Sequence, residues 1–165
     1  STKVIDPEFA YYGPMGFDVG AVLANLLLNA AAQGGRIADR AALRDYRAYL
    51  LDTVEAVWNE FESRFRALWA EHAVDRLLRE SGYLDIFMKE LLQDTFGYTG
   101  CKMVRRIVGL AHVADIDGIE DAELRNRARR VALAVGTDLI KRHRKASSIK
   151  EMRNTAELYF AAKEG

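Results

Sequence analysis

Cysteine occurs once in the 165 residues, at Cys101, and proline twice, at Pro7 and Pro14. A single thiol excludes an intramolecular disulfide and any cysteine-based zinc cluster, and it suits a reducing, cytoplasmic setting in which Cys101 reads as a structural residue. Net charge is also missing, because 24 Lys and Arg offset 24 Asp and Glu. Without an excess of either sign, no global field argues for nucleic acid or an anionic membrane, and any anion must be held by a local site. Long apolar runs are absent. The longest, Ala21 to Ala32, is interrupted by Asn25 and Asn29 and is too short to span a bilayer; no signal-peptide pattern appears, so a soluble protein is expected. Histidine is sparse, and His72 and His143 have no Cys or acid at ligand spacing. His112 lies in an apolar run, where a hydrogen-bonded structural role is expected, so no zinc site follows.

What remains is a chain that is 50% hydrophobic, enough to bury the core of one domain. Its patterning is helical. Phe17, Val19, Ala21, Val22, Leu23, Leu26, Leu27 and Leu28 are apolar nearly all round, which predicts a central buried helix from about Phe17 to Ala32 that ends at Gly34-Gly35. Asp39 can cap a long second helix, whose stripe of Leu43, Tyr46, Leu50, Val54, Val57, Phe61, Phe65 and Leu68 recurs at helical steps. Trp58, Trp69, Tyr46 and Tyr49 fall on or beside that stripe and read as core or packing residues. A third helix is expected over Asp85 to Thr95, a break over Gly97 to Gly100, and a fourth helix from about Cys101 to Ala111. Leu124, Ala128, Val131, Val135 and Leu139 mark a fifth, and Ser148 with Glu151 forms a capping-box start for a sixth. The basic run from Lys141 to Lys145 closes a helix, where cations offset the dipole, and it lacks the aromatics of a nucleic-acid platform.

The N-terminal stretch from Lys3 to Gly20 has a different character. A short apolar strand, Thr2 to Asp6, ends in two carboxylates, Asp6 and Glu8, on either side of Pro7, and a Gly/Pro loop then leads to Asp18 at the start of the first helix. Proline stiffens the turn, and in an extended backbone positions i and i+2 point the same way, so two hard oxygen ligands can converge on one Mg²⁺. The alternative reading is a capping turn carboxylate beside a solvated Glu. Tyr11 and Tyr12 adjoin this motif and could line it. No later run in the sequence can pair with the strand, so either its partner lies outside this chain or the segment is not a strand.

The run from Ile5 to Gly20, with the Lys102 to Asp115 block containing Arg105-Arg106-Ile107-Val108-Gly109-Leu110-Ala111-His112 downstream, resembles the S-methyl-5-thioribose kinases, within the choline and aminoglycoside kinase-like group. The likeness covers essentially the whole chain. It implies a mainly α-helical C-terminal lobe of a protein-kinase-like fold, with residues 1–16 as a metal-binding strand and loop and 17–165 as a helical bundle. It also implies transfer of the γ-phosphoryl group of ATP to the anomeric hydroxyl of 5-methylthioribose in methionine salvage, in a homodimeric enzyme that involves neither nucleic acid nor membrane. By this likeness Asp6 and Glu8 serve the Mg²⁺ ions that bridge the ATP phosphates, Arg105 and Arg106 lie at the thioribose site, and Asp18 holds the catalytic-loop backbone without touching substrate. A surface arginine pair bridged to Asp85, Glu90 or Asp94 is the competing reading of Arg105 and Arg106. The glycine-rich phosphate loop, the strand lysine and the loop bearing the general base have no counterpart in this sequence, so the chain alone is expected to be inactive and to need an N-terminal half. A kinase-like interaction module without catalysis, or a kinase for another small alcohol such as choline or an aminoglycoside, are the alternatives.

Overall fold

The computed structural model of the chain describes residues 12–80 and 82–162. Among these the architecture is helical throughout: α1 (Gly16–Gln33), α2 (Arg40–His72), α3 (Tyr83–Val108), the single-turn α4 (Ala114–Asp117), α5 (Ala122–Arg142) and α6 (Lys150–Ala161), with 3-10 turns at Leu77–Arg79 and His143–Lys145. The expected strand Thr2 to Asp6 and the acids Asp6 and Glu8 lie outside the described residues, as does Tyr11.

The hub is α1, as its near-continuous hydrophobicity predicts. Leu23, Ala24, Leu27, Leu28, Ala30 and Ala32 are fully buried, and the helix packs against α2, α3 and α5. It ends at Gly34, and Gly35 N donates to Ala32 O at 2.9 Å. Asp39 then caps α2 by accepting a hydrogen bond from Ala42 N at 2.7 Å, an arrangement that stabilises a helix by about 1 kcal/mol. The 33 residues of α2 span about 50 Å at 1.5 Å per residue. Leu43, Leu50, Leu51, Val54 and Trp58 in its first two thirds join the core. Beyond them Phe61, Phe65 and Trp69 form a ladder of rings with Phe87 and Tyr83 of α3, at centroid distances of 5.6–6.0 Å. Tyr46 and Tyr49, expected in the packing stripe, are instead 41% and 62% exposed. They sit on the solvent edge of α2, where their polar hydroxyls need no buried partner.

The expected break over Gly97 to Gly100 does not occur, and one helix runs from Tyr83 to Val108. These glycines serve contact between helices. A Cβ on Gly100 would lie 2.4 Å from Gly136 O of α5, and one on Gly20 of α1 would lie 2.9 Å from Thr99 N. The helix tolerates the entropic cost of glycine because backbones cross at a separation that a side chain would prevent. The register follows. Gly16 meets Asp94 and Thr95, and Gly20 meets Tyr98 and Thr99, so α1 and α3 run parallel. Gly100 faces Gly136, Gly97 faces His143 and Gln93 donates to Arg144 O, so α5 runs antiparallel to α3. At the start of α6, Glu151 accepts from Ser147 N, Ser147 Oγ and Ser148 N, and the helix begins at Lys150. The Glu half of the expected capping box thus forms, one residue earlier than the Ser148 pattern alone implies, because Ser147 also reaches it.

Candidate functional site

The C-terminal turns of α3 gather positive charge. Lys102, Arg105 and Arg106 are spaced three and four residues apart or adjacent, so Lys102 shares a face with both arginines. Arg105 and Arg106 stand in the last turn of α3, where cations are favoured by the carbonyl end of the helix dipole. They close a long helix; they do not open a new one after a glycine turn, as the sequence pattern had implied. Burial, then Arg106, then Arg105 hold the Lys102 ammonium below the ordinary lysine range. Three cations crowd the end of the helix, and none makes an ion pair with a described carboxylate. Asp85, one of the acids expected to neutralise the pair, is instead taken by Arg66 at 2.7 Å.

The two arginines are not equivalent. Adjacent helical side chains diverge by about 100°. Arg106 is half-buried and its Nη1 donates to Ala111 O at 3.1 Å, folding the 109–113 loop back on the helix. Arg105 is exposed and its backbone carbonyl accepts from Gly109 N at 2.9 Å. Gly109 is required at that point, since a Cβ there would sit 2.4 Å from the same carbonyl. Arg106 therefore builds the loop, and Arg105 is left facing outward.

Residues with no motif of their own hold the rest of this end. The single turn of α4 is fastened by guanidiniums from two directions. Arg36 donates through Nε to Asp115 O at 2.9 Å and through Nη2 to Ala114 O at 3.2 Å. Arg129 of α5 bonds Asp117 Oδ1 at 2.7 Å. Ile116 and Ile119 are buried beneath the turn. Sequence reasoning passed over Arg36, Asp117 and Arg129; the one local cue was an arginine directly after the Gly34-Gly35 stop. His112, expected to be structural within an apolar run, is exposed, and its Nδ1 lies 3.7 Å from Asp117 Oδ2. Around it Val108 and Leu110 are also exposed, so that run is a surface loop. Cys101, expected to be structural, is also exposed.

Asp18 occupies the first turn of α1 and is exposed. Its turn lies beside Asp94 to Thr99 of α3, and Arg105 is some 6 to 11 residues further on, about 9–16 Å along the helix axis. Asp18 and the arginines are therefore separate features on one helix pair. Among the described residues no group of three or more His, Cys, Asp or Glu could hold a metal ion, and no helix is long and apolar enough to cross a membrane.

This arrangement, a buried central helix with helices crossing it and a cation-rich helix end, is a mainly α-helical lobe. No protein-family model matches the chain. Curated relatives do: the chain is 41% identical over 152 residues to the methylthioribose kinase of Bacillus mycoides (strain KBAB4), covering 92% of this chain and 36% of that protein. It is 42% identical over 153 residues to the methylthioribose kinase of Geobacillus sp. (strain WCH70), covering 93% and 36%, and 41% identical over 152 residues to that of Bacillus cereus (strain B4264). The chain is thus related over nearly its whole length to the C-terminal part of methylthioribose kinases, and spans about 36% of the length of the relatives it matches.

Proposed function

We propose that the chain serves as the C-terminal helical lobe of an ATP-dependent kinase that phosphorylates the anomeric hydroxyl of S-methyl-5-thioribose, giving S-methyl-5-thioribose 1-phosphate in methionine salvage. The observation that carries this reading is the uncompensated cationic turn of Lys102, Arg105 and Arg106, in a chain whose relatives are methylthioribose kinases. A guanidinium fork can donate hydrogen bonds to sugar hydroxyl oxygens and offset negative charge as the phosphoryl group moves. Arg105 is the outward-facing member and takes the substrate contact; Arg106 positions the 109–113 loop beside it. Asp18 acts on structure, with no contact to substrate.

Asp6 and Glu8 supply hard carboxylate oxygens, the donor type that suits Mg²⁺. When bound with ATP, the metal would neutralise charge on the β- and γ-phosphates. Activity then belongs to a chain of the relatives' length, a homodimer in the cytoplasm, and residues 1–165 alone are inactive.

The test is ATP-dependent phosphorylation of S-methyl-5-thioribose by these residues joined to an N-terminal half of the relatives' kind, beside the same protein with Asp6→Ala or Arg105→Ala and beside residues 1–165 alone. The expected result is turnover in the first, loss of about 100-fold or more with Asp6→Ala, as for other groups that stabilise transferring charge, and a rise in KM with Arg105→Ala. Brisk choline or aminoglycoside turnover with no thioribose product would reject the substrate assignment.

A further inference from the structure

A second cationic feature lies away from the twin arginines. The segment that joins α1 to α2 and the first turns of α2 and α5 enclose a groove of about 250 Å³, lined by Gly34, Gly35, Arg36, Arg40, Leu43 and Arg127 together with apolar side chains at its floor. Several arginines elsewhere on the molecule are neutralised. Arg64, Arg66, Arg129, Arg142 and Arg153 each sit on carboxylates. Arg36, Arg40 and Arg127 make no ion pair with a described carboxylate. Arg36 is fixed by the neutral carbonyls of Ala114 and Asp115, which immobilise its guanidinium without cancelling its charge. Asp39 and Asp121, at the starts of α2 and α5, are turned to their own helices, accepting from Ala42 N and Leu124 N at 2.7 and 2.8 Å.

We infer that this groove is a binding site for a small phosphate-bearing anion. Three arginines lining one small groove match the many acceptor oxygens of a phosphate or diphosphate better than the single plane of a carboxylate. The volume falls below the range of about 300–1,000 Å³ typical of drug-sized ligands, which favours a compact anion. Because Arg36 is already held, little side-chain entropy is lost when the ligand arrives. The apolar floor formed with Leu43, which is 8% exposed, lowers the local dielectric and strengthens the attraction. None of these residues belongs to the proposed thioribose site, so failure of this inference leaves that reading untouched, and the converse also holds.

The experiment is isothermal titration of the protein with inorganic pyrophosphate at low salt, with ribose 5-phosphate, ADP and citrate as parallel arms. Saturable one-to-one binding of pyrophosphate is expected. The double variant Arg40→Gln/Arg127→Gln should weaken it about tenfold or more, the scale of one lost charge-assisted hydrogen bond. Arg144→Gln, an exposed arginine on the 3-10 turn after α5, should leave it unchanged. Binding of ribose 5-phosphate or ADP as well would support the site and identify which class of phosphate it takes. No binding of pyrophosphate, an equal loss with Arg144→Gln, or citrate binding as tightly as pyrophosphate would overturn the inference.

Discussion

The two halves of α3 are packed by opposite means. From Tyr83 to about Leu91 the helix meets α2 through large rings: Phe87 stacks on Phe65 at 5.6 Å, and Tyr83 on Trp69 at 6.0 Å. From Thr95 onward it meets α1 and α5 through glycine and threonine, backbone against backbone. Thr95 and Thr99 there turn their hydroxyls back to Leu91 O and Thr95 O, at 2.8 and 2.7 Å, and leave no donor unsatisfied. The ring contacts can re-pack, because side chains have alternative rotamers. The glycine crossing has less freedom, because Gly136 O stands against Gly100 and Thr99 N against Gly20, and main-chain atoms have no alternative rotamers. The rigid half is the one that ends in Arg105 and Arg106, as expected where a charged pair must be held in fixed geometry.

The largest break in that comparison is Gly100→Val. A side chain directed at Gly136 O must separate α3 from α5, and the expected loss is about 3 kcal/mol or more, the upper range for overpacking. Chemical denaturation would measure it, and a loss below that of Phe65→Ala would contradict the proposed rigidity. Phe65→Ala comes next. Its ring is only partly buried, so about 2 kcal/mol is expected, less than the 3–5 of a fully buried Phe. Amide exchange should localise the weakening to the end of α2 and the start of α3, leaving Arg105 and Arg106 protected as before.

The smallest effect concerns neither half directly. The Ser147 hydroxyl, with the Ser147 and Ser148 N–H groups, holds the Glu151 carboxyl below the usual carboxylate range, against the opposing effect of burial. A depressed acid contributes stability that is complete above its unfolded value and is lost as pH falls through the folded one. Glu151→Gln should therefore flatten the acid limb of the stability curve and change little above it. An unaltered acid limb would show that the α6 cap carries no linkage.

Much of the fold was legible. The apolar surround of Leu23 to Leu28 marked the buried hub, Asp39 marked the start of α2, and the 3–4 spacing from Leu124 to Leu139 marked α5. The site was legible in part. Arg105 and Arg106 drew notice as a pair, yet their different duties depend on Ala111 O lying near Arg106, a contact between residues whose conformations no local pattern fixes. Tyr46 and Tyr49 were misplaced because helical spacing gives the face a residue occupies without saying how far along α2 the core extends around it.

By itself the sequence determined the central buried helix, the start of α2 and the apolar stripe of α5, because propensity and periodicity act over a few neighbours. The tertiary structure alone decided what Gly97 and Gly100 are for. A glycine that ends a helix and one that lets two helices touch look the same in local sequence, and the difference lies in whether a second backbone, here that of Gly136, lies against it.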